Sequence, residues 1–192
     1  KETLRVACVG DSITQGFGLA NPAEENYPSQ LANILGEGFQ VGNFGIRSAT
    51  LLKSGSKPYW NTSEFESSKN FNPDIVVIML GTNDAKSVNW VNQEQFIPDY
   101  TDLINTYKNL VSQPIIYICY PPPVYGSVAG ITDKRIKDEV IPKIKEVSGI
   151  NNVVTIDNYT PLSGNPSLFT DTVHPNAEGA KVMAETVYQV IY

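Results

Sequence analysis

Five short apolar runs, at residues 4–9, 39–44, 75–80, 115–119 and 153–156, are distributed along the 192-residue chain. Their length and their β-branched and aromatic content predict strands. The segments between them carry apolar residues at helical spacing. Residues 29–35 follow Pro28, residues 94–110 carry Phe96, Tyr100, Leu103, Ile104, Tyr107 and Leu110, and residues 133–147 carry Ile136, Val140, Ile141 and Ile144. The last segment, 177–191, sets Met183, Val187, Val190 and Ile191 on one face, with Asn176 as its N-cap. Pro98 predicts a late start for the helix over 94–110, and Pro142 predicts a kink or break within 133–147.

Strands that are apolar throughout and alternate with helices predict a parallel sheet covered on both faces, a doubly wound α/β architecture in a single domain spanning 1–192. In such sheets ligands bind outside the carboxyl ends of the strands, which directs attention to the residues after Val9, Phe44, Leu80, Cys119 and Ile156. Hydrophobic residues at 41% fit a soluble globular protein, and a formal charge of −6 argues against a nucleic-acid partner. No apolar run approaches the length of a membrane span. Residue 1 is Lys rather than Met, which leaves room for a removed leader and with it a secreted or periplasmic location; oligomeric state is left open. Cys8 and Cys119 lie inside apolar strand-like runs and are expected as buried free thiols, with no disulfide. One histidine and two buried thiols make a poor metal-ligand set, so no metal and no cofactor are expected.

Four polar stretches fall at the predicted strand ends or just before the last helix. They are Gly10-Asp11-Ser12, Asn43-Phe44-Gly45, Gly81-Thr82-Asn83-Asp84 and Asp171-Thr172-Val173-His174-Pro175-Asn176. Taken singly, each has an ordinary explanation as a turn, a capping pair or a surface histidine. The predicted topology gathers all four at one edge of one sheet. A serine hydroxyl becomes a nucleophile when a neighbouring base takes its proton, and the chain's single histidine, His174, is the one imidazole available to do so. Asp171, three residues earlier, is placed to hold one ring nitrogen while the other faces Ser12. The backbone N–H groups of Ser12 and Gly45 and the Asn83 amide are the candidate donors to a developing oxyanion.

Taken together, these residues resemble the four blocks of the SGNH hydrolases, also called GDSL esterases and lipases. The first block reads Gly10-Asp11-Ser12-Ile13, with Ile where Leu is common, and the blocks span residues 10 to 176. The resemblance implies a three-layer flavodoxin-like fold, a five-stranded parallel sheet with helices on both faces, and metal-free ester hydrolysis through an acyl-enzyme. It makes Ser12 the nucleophile, His174 the base and then the acid, Asp171 the residue that orients His174, and Ser12, Gly45 and Asn83 the oxyanion hole. One departure stands out: the second block often continues as Gly-x-Ser-Gly, whereas this chain has Gly45-Ile46-Arg47-Ser48.

Asp11, Arg47, Trp60, Trp90 and Tyr120 are the candidate substrate contacts. The aromatic residues are chosen because they follow strands, where their faces suit sugar rings, although core packing is the competing role. Pro58-Tyr59-Trp60-Asn61-Thr62 and the stretch from Gly81 through Asn89-Trp90 resemble the branch of the family that removes O-acetyl groups from carbohydrates. The substrate is then a small-molecule or polysaccharide ester. Competing readings are a broad short-chain esterase, lipase or thioesterase of the same family, and a carbohydrate-binding domain that has lost its chemistry. A phosphate-binding loop is disfavoured, because neither Gly-Lys-Ser/Thr nor G-x-G-x-x-G spacing occurs at the first glycine turn.

Overall fold

A computed structural model describes residues 2–192. Among the described residues, seven strands form in chain order: β1 (Leu4–Gly10), β2 (Phe39–Gly45), β3 (Ile75–Met79), β4 (Ile115–Tyr120), β5 (Ser127–Val128), β6 (Ile131–Thr132) and β7 (Val154–Asp157). Five of them make one parallel sheet in the order β2-β1-β3-β4-β7, while β5 and β6 pair as a small antiparallel hairpin. This is the α/β, flavodoxin-like order, with the chain reversing its direction of winding beside β1.

Side chains along each strand alternate between two cores. Ala7 and Val9 of β1 join Val76 and Ile78 of β3 in one cluster, which is covered by helices α3 (Ser63–Asn70), α4 (Phe96–Lys108) and α5 (Ile141–Asn151), counted after α1 (Ser12–Gln15) and α2 (Tyr27–Leu35). Val6 and Cys8 join Ile75, Val77 and Met79 on the other face, under α2 and α6 (Ala177–Ile191). Cys8 and Cys119 both belong to this second core and are free, and burial pushes the Cys8 thiol up to about 12. Among the described residues, no helix is long and apolar enough to cross a membrane.

Where helix ends differ from the sequence expectation, proline and capping chemistry account for it. α2 starts at Tyr27, two residues before the expected 29, because Asn26 caps it through Ser29 N–H and Pro28 is well suited to a first turn. α4 starts late, at Phe96, with Pro98 in its first turn. The segment over 133–147 is interrupted as Pro142 predicts. A short helix, Asp133–Arg135, runs into a π-helical turn, Ile136–Val140, and α5 begins beside the proline, whose missing N–H removes one i−4 bond. Asn176 caps α6 by accepting from Gly179 N–H at 3.0 Å.

Two glycines set how closely the pieces approach at the carboxyl edge. Gly10 and Gly45 are register partners on β1 and β2. A Cβ on Gly10 would sit 2.1 Å from Thr14 Oγ1, and one on Gly45 would sit 2.5 Å from the Gln15 nitrogen. Without a side chain at either position, α1 folds directly over the strand ends.

Candidate active site

Ser12 is the first residue of α1. Asp11 caps that helix, accepting from Ile13 N–H at 2.9 Å, so the strand-to-helix turn presents the Ser12 hydroxyl at the sheet edge. On the opposite side, the loop before α6 closes on itself, with Thr170 N–H donating to His174 C=O at 2.8 Å. Inside that loop, Asp171 Oδ1 accepts from the backbone N–H groups of Val173 and His174, at 2.9 and 2.8 Å. The carboxylate thereby folds the turn that carries the imidazole and also faces it: His174 Nδ1 lies 2.8 Å from Asp171 Oδ2. With Nδ1–H donating to that carboxylate, Nε2 is left to accept from the Ser12 hydroxyl, 2.8 Å away. Burial pushes the Asp171 carboxyl up, but the two backbone donors and the imidazole outweigh it, and the net effect holds it below the ordinary carboxylate value.

Ser12 and His174 open on a cavity of about 230 Å³, whose other walls include Asn83, Ser48, Arg47, Lys86 and Phe17. Asn83 opens the 3₁₀ turn after β3, and its amide donates one hydrogen to Ala49 C=O at 3.1 Å, which leaves the second N–H for the cavity. Asp84, beside it, accepts from Leu51 and Leu52 N–H at 3.0 and 2.7 Å and so anchors the segment after β2 to the end of β3. Among the described residues, no group of three or more His, Cys, Asp or Glu side chains is arranged to hold a metal ion.

Gly45 requires a correction. It does not line the cavity, and its N–H is already donated to Asn43 Oδ1 at 3.0 Å; its role is to admit α1 across β2. The backbone donor at the cavity is Ser48, three residues further on. Ser48 occupies the third position of a turn closed by Ala49 N–H to Ile46 C=O at 3.2 Å, and its φ of +68° lies in the left-handed region. Its N–H finds no acceptor among the described residues. This is the position where the second block commonly has Gly, so the departure noted in the sequence preserves the turn at some strain in a residue with a Cβ.

The candidate substrate contacts divide sharply. Arg47 lines the cavity. Asp11 does not: it is a buried cap whose carboxyl burial raises to about 7. Trp90 is also corrected, since it is only 3% exposed, packs edge-on against Phe96 and donates its indole N–H to Glu139 at 3.0 Å. Trp60 is half-buried against the core, donates to Leu51 C=O and lies under Lys53, away from the cavity. Tyr120 faces a separate groove with Lys145 and Tyr159. Strand-end position put these aromatics near the correct edge but carried no information on which way each ring turns.

Three contributors escaped the sequence reading besides Ser48. Phe17 lies between Gly16 and Gly18, both at positive φ, and its ring centroid is 4.8 Å from that of His174. The Gly-Phe-Gly spacing was the available signal. The β5–β6 hairpin contributes Val128 and Ile131 to the wall; Arg135 ties it down by donating to Gly130 C=O at 3.1 Å and Ala85 C=O at 2.9 Å. Lys86 follows Asn83 on the same turn.

Comparison with known proteins places the chain in a family. The family model described as GDSL-like Lipase/Acylhydrolase matches residues 8–182. An acetylxylan esterase from Xylanibacter ruminicola is 37% identical over 209 residues, covering 100% of this chain and 44% of the relative. A multidomain esterase from Ruminococcus flavefaciens is 26% identical over 120 residues, covering 61% of this chain and 15% of the relative. The chain thus spans less than half the length of these curated relatives. In fold, it is similar to a carbohydrate acetylesterase from Sinorhizobium meliloti, with a TM-score of 0.82 and 21% identity over 97% of both chains. It is similar also to an aryl esterase from M. smegmatis, with a TM-score of 0.79 and 18% identity over 97% of both chains. With the matched segment running from within β1 into α6 and enclosing every residue of the serine–imidazole–carboxylate array, the chain belongs to the GDSL-like lipase/acylhydrolase family.

Proposed function

We propose that this protein is a serine esterase that removes O-acetyl groups from carbohydrates. The observation that carries the reading is the continuous hydrogen-bonded array from Asp171 through His174 to Ser12, opening on a cavity with uncommitted N–H donors. Ser12 Oγ attacks the acyl carbonyl as its proton passes to His174 Nε2, and the oxyanion faces the N–H groups of Ser12 and Ser48 and the Asn83 amide. The imidazolium, held by Asp171, gives the proton to the departing sugar oxygen as the acyl C–O bond breaks, which frees the sugar alcohol and leaves acetyl on Ser12. Water then attacks the acyl-enzyme, again through His174, and releases acetate and the free serine.

A cavity of about 230 Å³ favours a short acyl group, because a long chain needs an extended aliphatic groove. The name of the 37%-identical relative, matched over the whole of this chain, supports an acetylated polysaccharide as the substrate. Release of acetate from p-nitrophenyl acetate and from acetylated xylan tests the reading. Ser12→Ala is expected to abolish both while circular dichroism stays unchanged, and equal turnover by the variant would refute the mechanism. A chain that binds xylan without releasing acetate would instead be a carbohydrate-binding domain. If the amide faces the oxyanion, Asn83→Ala lowers kcat by about 10²–10³-fold, whereas a fall of only a few-fold would make Asn83 a structural residue.

A further inference from the structure

The cavity beside Ser12 carries two cations and no acidic side chain: its lining includes Arg47 and Lys86 but neither Asp nor Glu. The ion pairs among the described residues are Lys53–Asp102, Lys69–Glu66, Arg135–Glu139 and His174–Asp171, so both cavity cations lack an anionic partner. Two unpaired cations at one cavity are notable in a chain of net charge −6, where carboxylates outnumber basic groups. Asp11, a buried carboxylate, feels the field of Lys86 but is committed as a helix cap and does not line the cavity.

Arg47 is also held in place. Its backbone N–H donates to Gln15 Oε1 at 3.0 Å, and its guanidinium carbon sits 4.3 Å from the centroid of Phe17, whose ring also packs against His174. Stacking on one face leaves the N–H edge of the guanidinium available for a planar acceptor. Arg47 and Phe17 further line an adjoining groove of about 370 Å³ that passes Gly16 and Pro22. The cation therefore stands between the reacting centre and the space into which a longer saccharide extends.

We propose that Arg47, assisted by Lys86, is an anion subsite that selects acylated saccharides bearing a carboxylate, either on the acylated sugar or on its neighbour. A carboxylate matches the guanidinium edge with two parallel hydrogen bonds, and Lys86 adds a point charge from the same lining. This rests on the esterase reading above and narrows its substrate class.

The test compares a neutral acetylated xylo-oligosaccharide with the same oligosaccharide carrying glucuronic acid beside the acetylated residue; free O-acetyl sialic acid tests a carboxylate on the acylated sugar itself. At low salt kcat/KM is expected to be at least ~10-fold higher on one or both acidic substrates, mainly through KM, with the advantage shrinking as salt rises from ~20 to ~500 mM. Whichever acidic substrate is preferred identifies where the carboxylate sits. The double variant Arg47→Gln, Lys86→Gln is expected to lose the preference, falling at least ~10-fold further on the preferred acidic substrate than on the neutral one. No preference in the wild type, or an equal fall on all substrates, overturns the proposal, since equal loss describes general oxyanion stabilisation. Should the wild type hydrolyse no ester at all, the esterase reading fails. Calorimetry with the glucuronic-acid oligosaccharide and with free sialic acid then decides the subsite separately. Salt-sensitive binding of either, lost in the double variant, sustains it, and absence of binding to both overturns it.

Discussion

Asp171 and Asp11 both lie at the sheet edge, one at each side of the Ser12–His174 pair, and their environments drive them in opposite directions. Asp171 has a half-exposed side chain and gathers two backbone N–H groups and an imidazole, so its carboxyl is held low and charged despite the burial it does suffer. Asp11 is 2% exposed and receives Ile13 N–H as its side-chain hydrogen bond. Burial, with a smaller push from Asp84, raises it to about 7, and the Ile13 N–H and Lys86 only partly offset the effect. Nearness to the reacting centre therefore does not set the charge of a carboxylate. The balance between lost water and N–H donors aimed at it does.

The strongest way to break this contrast is Asp171→Asn. An amide nitrogen facing His174 Nδ1 would stabilise the tautomer that carries its proton on Nε2, so the ring would donate toward Ser12 and no longer accept from it. A fall in kcat of about 10³–10⁴-fold with unchanged secondary structure is expected; a fall below about tenfold would show that the carboxylate does not fix the tautomer.

Asp84 sharpens the comparison as an intermediate case. It is fully buried, and burial raises it to about 6 against the pull of Leu52 and Leu51 N–H. Asp84→Ala would leave both N–H groups buried without an acceptor, at about 1–3 kcal/mol each, and Tm is expected to fall by about 5–15 °C. An unchanged Tm would mean that the segment after β2 is held by other contacts.

Asp11→Asn is the gentlest change, because the amide oxygen still accepts from Ile13 N–H. Between the ordinary carboxylate value of 3.8 and about 7, the folded chain holds a proton that the unfolded chain has released, so the wild type loses stability as pH rises through that window. The variant, neutral throughout, is expected to gain Tm over the wild type at about pH 8, where the wild type has lost the whole contribution, and to gain much less at about pH 4.5. Asp171 has the opposite sign: its lowered carboxyl contributes stability that is present above the unfolded value and lost as pH falls. A Tm difference independent of pH would place Asp11 among ordinary carboxylates.

The elements that were legible in the sequence are those whose signal is local. Each of the five sheet strands lies within a residue or two of its apolar run, Asn176 caps α6, and Pro142 interrupts its segment as its missing N–H requires. Asp171 was legible beside His174 because an Asx turn acts over two or three residues. Trp90 was misread because an indole after a strand has the same local sequence whether it turns outward or onto Phe96. Gly45 was misread for a related reason: a glycine that gives room to a neighbouring helix and one that offers its N–H to a ligand look alike until the helix is in place.

The amino-acid order by itself determined the parallel sheet, the edge where chemistry would gather and the residue types that gather there, because periodicity, capping and turn formation are governed by neighbours along the chain. Only the tertiary structure decided that Ser48 rather than Gly45 presents a free N–H, and that Phe17 bridges Arg47 and His174. It also decided that two cations face the cavity without partners. These features depend on directions and distances between segments remote in sequence, which are fixed only when the two cores close on the sheet.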